Sequence, residues 1–172
     1  MKHRLVSLIV IFIFALLQHC VFPVITLISI TPNLLMGATA AYAIMRGPKE
    51  GILVGLICGL IVDVFSGNLI GTFMLIYSVT GFFMGFFNRL FFPEEVLLPL
   101  GGIAVGDIIY GIVVYLGFFF IRGNLNFGEY LLNIILPEAL YTLVCMILFY
   151  PLILRIEQRF IERDKGNANK FA

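Results

Sequence analysis

Three acidic side chains stand in otherwise apolar runs: Asp63, Asp107 and Glu138. A bare carboxylate at mid-bilayer depth is expensive, so acids placed there must be protonated, hydrogen-bonded or turned to a wet cavity. Asp107 falls about ten residues into a run that begins at Leu97, roughly 15 Å deep at 1.5 Å per residue. Glu138 reaches a similar depth from the opposite face, and Asp63 lies near the far end of its own run, level with Gln18 and His19. By depth, Asn133 and Tyr110 are the partners in range of Asp107 and Glu138, and His19 of Asp63. Three chemistries compete: hydrogen-bond glue between helices, a ligand or coupling site in a transporter-like cavity, and a di-aspartate intramembrane protease. The protease pattern GxGD fails, because Ala104 stands where its first glycine belongs. Its two carboxylates must also share a water, and Asp63 and Asp107 differ in depth. His19 has no second His or Cys at metal spacing, so no metal site is expected. Cys20, Cys58 and Cys145 show no CxxC spacing and read as small hydrophobes. No phosphate-binding loop, dinucleotide fingerprint or Ser/His nucleophile pattern is present.

The elements that must position these acids are membrane helices. Of 172 residues 61% are hydrophobic and 12% charged, far from the roughly 45–50% and 25% of a soluble domain. Runs bounded by charges, Pro and Gly predict an all-α integral membrane protein with spans over 5–22, 32–45, 48–65, 69–92, 97–121 and 129–154. Pro23 is read as breaking the first. Thr31 is read as capping the second, with Pro32 in its first turn. Ser66-Gly67-Asn68 forms a tight turn, Pro93-Glu94-Glu95 stops the fourth span, and Pro137 and Pro151 bend or end the sixth. Residues 155–172 make a polar tail, and no loop is long enough for a soluble domain, so the chain is one polytopic domain.

The basic residues test the count. Six spans put Lys2, Arg4, Arg46, Lys49, Arg89, Arg155, Arg159, Arg163, Lys165 and Lys170 on one side and Arg122 alone on the other. That asymmetry makes both termini cytoplasmic. It also explains why a net charge of +1 says little about partners. The segment from Lys2 to Leu17 lacks a cleavage site and reads as a retained anchor.

Gly47, Gly51, Gly55 and Gly59 recur every four residues and share one face of the third helix. In lipid, helices associate through van der Waals contact, which glycine increases by letting backbones approach. The stripe therefore marks the third helix as central, packed chiefly within the chain. Gly37 and Ala41 offer a matching surface, and Gly67/Gly71 and Gly81/Gly85 repeat the spacing.

One stretch is more specific. Thr31-Pro32-Asn33-Leu34-Leu35 opens the second helix. After Gly47-Pro48-Lys49-Glu50 comes a Gly51, Gly55, Gly59 run that ends in Asp63, Ser66, Gly67 and Gly71. This resembles the rod shape-determining MreD family, whose Pro-Asn start, Gly-rich helix, terminal Asp and Ser/Gly turn stand here at residues 31–71. The resemblance implies a non-enzymatic component of the bacterial cytoplasmic (inner) membrane, without a cofactor or a nucleic-acid partner. It would bind MreC, a bitopic protein, and act with MreB, RodA and the elongation transpeptidase in lateral peptidoglycan synthesis. On that reading Pro32, Asn33, Gly51, Gly55, Gly59, Asp63, Gly67 and Gly71 hold the partner or the fold, and Asp107, Asn133, Glu138 and His19 form the intramembrane polar set. The family is also likened in fold to the substrate-binding subunits of energy-coupling-factor vitamin transporters, which supplies the alternative function. Those subunits carry a small-residue motif on their first helix, where this chain has Ala15 alone.

Overall fold

The computed structural model describes residues 2–25, 30–67, 70–90, 97–120 and 126–168, and no strand occurs among them. Among the described residues six helical segments pack as one bundle. The first, α1 (2–25), is α-helical over Lys2–Leu16, widens into a π turn at Leu17–Val21 and resumes as Phe22–Ile25. Then come α2 (Leu34–Arg46), α3 (Pro48–Ser66) and α4 (Thr72–Gly85), the last running into a 3-10 turn over Phe86–Leu90. The fifth, α5 (Leu97–Val114), ends in a π turn at Tyr115–Phe120. The sixth, α6 (127–168), joins Phe127–Tyr130 through a π turn at Leu131–Ile135 to the long segment Leu136–Ala168.

Several boundaries differ from those expected. Pro23 does not end α1. The preceding π turn shifts the hydrogen-bond register, and the helix carries on to Ile25. A proline clashes with the carbonyl four residues before it, and the extra residue of a π turn relieves that clash. The same device precedes Pro137, and Pro151 lies inside α6 without ending it. α2 begins at Leu34, capped by Asn33 rather than Thr31, with Pro32 outside the helix. The α-helical part of α4 is much shorter than 69–92. The Pro93-Glu94-Glu95 stop, Asn68 and Arg122 lie outside the described residues.

The centre of the bundle is α2, not the glycine-striped α3. Every residue from Leu34 to Ile44 is buried, and α2 packs against all five other passes. Gly37, Ala38, Ala40, Ala41 and Ala43 make it a thin rod that five neighbours can surround. Its 13 residues span only ~20 Å, which is short for a hydrocarbon core of ~30 Å.

The glycine stripe lies against α4, the most intimate helix pair in the chain. A Cβ at Gly51 would strike the Gly81 carbonyl oxygen, and one at Gly55 would lie 2.5 Å from that of Tyr77. Gly85 closes the other end against the backbone of Pro48. The surface matching the stripe is thus Gly81 and Gly85, whereas Gly37 faces Met146 on α6.

Among the described residues, three segments are long and apolar enough to cross a membrane: Arg4–Val24, Pro99–Phe118 and Phe127–Arg159. α3 carries Lys49, Glu50 and Asp63 within its 19 residues, and α4 has 14. Length and composition alone therefore single out half of the six passes.

Candidate functional site

Asn33 is the polar hub. Its Oδ1 accepts the Met36 N–H at 3.2 Å, capping α2, and the Tyr77 hydroxyl of α4 at 2.7 Å. Its own backbone N–H donates to Thr142 Oγ1 of α6 at 2.9 Å. The next free amide of α2, that of Leu35, donates to Gln18 Oε1 on α1 at 2.9 Å. A helix terminus buried among apolar side chains must satisfy its leading amides from outside the helix. Here two neighbouring helices, α6 and α1, and the cap residue supply the partners. This is the physical content of the Pro-Asn start: Pro32 offers no N–H of its own, and Asn33 ties α2 to α4 and α6.

Asp107 on α5 faces the same point. Thr142 and Asn33 are the side chains beside its carboxyl group. Both carboxyl oxygens and Asn33 Nδ2 are nevertheless buried outside hydrogen-bond geometry. Glu138 of α6 and Tyr110 of α5 lie within electrostatic range of Asp107, and Tyr110 meets Tyr77 edge-on at 5.2 Å. The structure therefore brings Asn33, Asp107 and Glu138 together. Asn133, expected among them, is exposed. It sits in the π turn Leu131–Ile135, five residues before Glu138, a spacing that does not share one α-helical face.

Asp63 caps the next helix. Its carboxylate accepts the N–H groups of Gly71 at 2.8 Å, Phe73 at 3.0 Å and Met74 at 3.2 Å. One buried side chain thus joins the end of α3 to the start of α4 and sits at the positive end of the latter's dipole. The turn between them needs left-handed backbone at Gly67 (φ 62°) and Gly71 (φ 111°), which explains both glycines. His19 does not reach Asp63. It stacks on Phe65, ring centroids 4.4 Å apart. For Asp63→Ala we expect a loss of about 2 kcal/mol, since three amides lose a charged acceptor. Thermal unfolding in detergent would read this as a lowered midpoint; an unchanged midpoint would contradict the capping role.

A second polar cluster closes the opposite end and was not evident in the sequence. Arg46, last residue of α2, pairs in bidentate fashion with Glu157 of α6, and its guanidinium also contacts Ser7 Oγ of α1 at 2.6 Å. Glu50 of α3 stands 3.8 Å from Arg46 and bonds Arg4 at 2.7 Å. The Arg46 guanidinium lies 4.7 Å above the Tyr42 ring. Glu157 is only 3% exposed, so the expected polar tail begins inside the bundle. The signal was available: Tyr150, Ile153, Leu154 and Glu157 share one helical face, and the first three are buried apolar residues.

These two ends fix the directions of α1, α2 and α3. Arg4, Arg46, Glu50 and Glu157 lie together at one end, while Gln18, Asn33, Asp63 and Gly71 lie towards the other. Among the described residues no group of three or more His, Cys, Asp or Glu side chains forms a metal cluster.

Comparison with curated proteins and with solved structures returned no match, so the likeness to transporter subunits finds no support. The family comparison matched the description rod shape-determining protein MreD over residues 1–160. That span contains the capped α3–α4 hairpin, the Asn33 hub and the Arg46–Glu157 pair, and with it the chain belongs to the MreD family, membrane proteins of rod-shape determination.

Proposed function

We propose that this protein is a non-enzymatic, multi-pass component of the bacterial cytoplasmic membrane that holds an MreC-like bitopic partner. Through it, the protein supports the elongation machinery of MreB, RodA and the transpeptidase in lateral peptidoglycan synthesis. All six passes cross the membrane and both termini are cytoplasmic. In support, Arg4, Arg46 and Glu157 meet at one end of the bundle, where the charge asymmetry puts the cytoplasm. The observation that carries the reading is the α3–α4 hairpin, clamped by Gly51, Gly55 and Gly59 and capped by Asp63. Such a rigid frame suits a protein that positions another.

The glycine stripe is covered by α4, so the partner's membrane helix meets a different face. An apolar groove of about 510 Å³ between α2, α4 and α5 has Gly101 and Gly102 in its wall, and a side chain at Gly101 would enter open space. Gly101→Leu should leave the fold intact and fill the groove. Co-purification with the MreC-like partner should then fall about tenfold, the effect of roughly 1.4 kcal/mol. With this variant as sole copy, cells should round up. Undiminished recovery of the partner would remove this face from the interface. Rod-shaped growth after depletion of the protein would end the functional reading itself.

A further inference from the structure

We propose that a groove between α1 and α3 holds one membrane phospholipid with a zwitterionic, phosphate-plus-ammonium headgroup. The proposal rests on the membrane placement of the family and not on the partner discussed above. The groove is about 210 Å³ in volume, with Arg4, Ser7, Arg46 and Glu50 at one end and Ile11 and Ile57 at the other. α1 and α3 both run inward from the charged end. From Arg4 to Ile11, and from Glu50 to Ile57, is seven residues on each helix, or ~10 Å of rise. Over that length the α1 wall passes from charge through the Ser7 hydroxyl to hydrocarbon, and the α3 wall from the Glu50 carboxylate directly to hydrocarbon. A phospholipid changes polarity in the same order over a similar depth.

The mouth also selects the headgroup. Arg4 has a 69% exposed side chain, and Glu50, its partner at 2.7 Å, is 25% exposed. Arg46 behind them is engaged by Glu157 and Ser7. Taken by themselves, these two guanidinium groups and the carboxylates of Glu50 and Glu157 carry no net charge. A purely anionic headgroup would therefore bring a charge that the paired arginines do not offset. A zwitterionic one matches both exposed groups, with its phosphate on the Arg4 guanidinium and its ammonium on the Glu50 carboxylate.

Native mass spectrometry of the detergent-solubilised full chain, titrated with phosphatidylethanolamine or phosphatidylglycerol, tests this. The wild-type protein should retain one phosphatidylethanolamine several-fold more strongly than phosphatidylglycerol. Glu50→Gln should erase that preference, lowering phosphatidylethanolamine retention about tenfold, the effect of losing one charge-assisted contact. Arg4→Gln should weaken both lipids, whereas Arg89→Gln, at an exposed site off the groove, should change neither. Equal retention of the two lipids by the wild-type protein, or no retained lipid, would overturn the proposal whatever the variants do. So would a folded Glu50→Gln protein that keeps the wild-type preference.

Discussion

Gly59→Leu is expected to prevent recovery of folded protein, while Gly101→Leu, the same change on another helix, is expected to leave the fold untouched. A Cβ at Gly59 would fall on Met74 Cα and lie 2.5 Å from the Phe73 carbonyl oxygen, whereas one at Gly101 meets nothing within 4 Å. The obstacles at Gly59 are backbone atoms, so no rotamer change makes room; α4 would have to move bodily. That movement would pull Phe73 and Met74 away from Asp63, breaking the cap that joins the hairpin. Overpacking usually costs 1–3 kcal/mol, and coupling to the cap should bring this case to about 4 kcal/mol, among the rarest single-residue effects. The measurement is the monodisperse fraction after solubilisation, with its thermal midpoint. Gly59→Ala should be intermediate. Equal yields for the Gly59 and Gly101 leucine variants would show that the hairpin is not close-packed as described.

The second large effect belongs to the Arg46–Glu157 pair. Arg46→Ala leaves Glu157 buried with its bidentate partner gone, which costs about 3–5 kcal/mol when a buried ion pair is broken from one side. Replacing both with methionine should recover most of that loss, because apolar residues of similar volume often substitute for a buried pair at little cost. Arg46→Lys should not rescue, since an ammonium cannot reproduce the planar fork that meets Glu157 through two nitrogens while reaching Ser7. Thermal midpoints of the two single variants and the double variant form the required cycle. If the double variant is as unstable as the sum of the singles, the two residues do not act as a pair.

Much of the α3–α4 hairpin was legible in the sequence, and the reason is its locality. Pro48 in the first turn, glycines at four-residue spacing, Asp63 and the Gly67 and Gly71 turn all lie within one short stretch. Local rules for caps, turns and close packing suffice to read them. The centrality of α2 was not legible in the same way. Its run of Ala and Gly, seen alone, signals only a helix that packs closely, and nothing in it says that five neighbours surround it. The Asn33 hub was half visible. The Pro-Asn start drew notice, but its links to Tyr77 and Thr142 depend on side chains 44 and 109 residues away. The pairing of His19 with Asp63 failed because depth alone cannot say which way a side chain turns. Asn133 failed for the same reason: depth put it in range, but five residues at about 100° each set it roughly 140° around the helix from Glu138. Glu157 reads as part of the polar tail because charge outweighs periodicity there, although its apolar neighbours on the same face point inward.

The three π turns at Leu17–Val21, Tyr115–Phe120 and Leu131–Ile135 all belong to the end of the bundle away from Arg46 and Glu157. A π turn interrupts the regular helical ladder with one extra residue, and such turns recur inside α-helices at functional sites. At this rim α1, α5 and α6 each carry such an irregularity, beside the hydrogen bonds of Asn33 and Asp63 that tie the same end together. A tug on the rim would be taken up as a local slip in α1, α5 or α6 before it strained the ionic base. The capped hairpin, which has no such turn among its described residues, would keep its shape throughout and serve as the fixed post against which the other three flex.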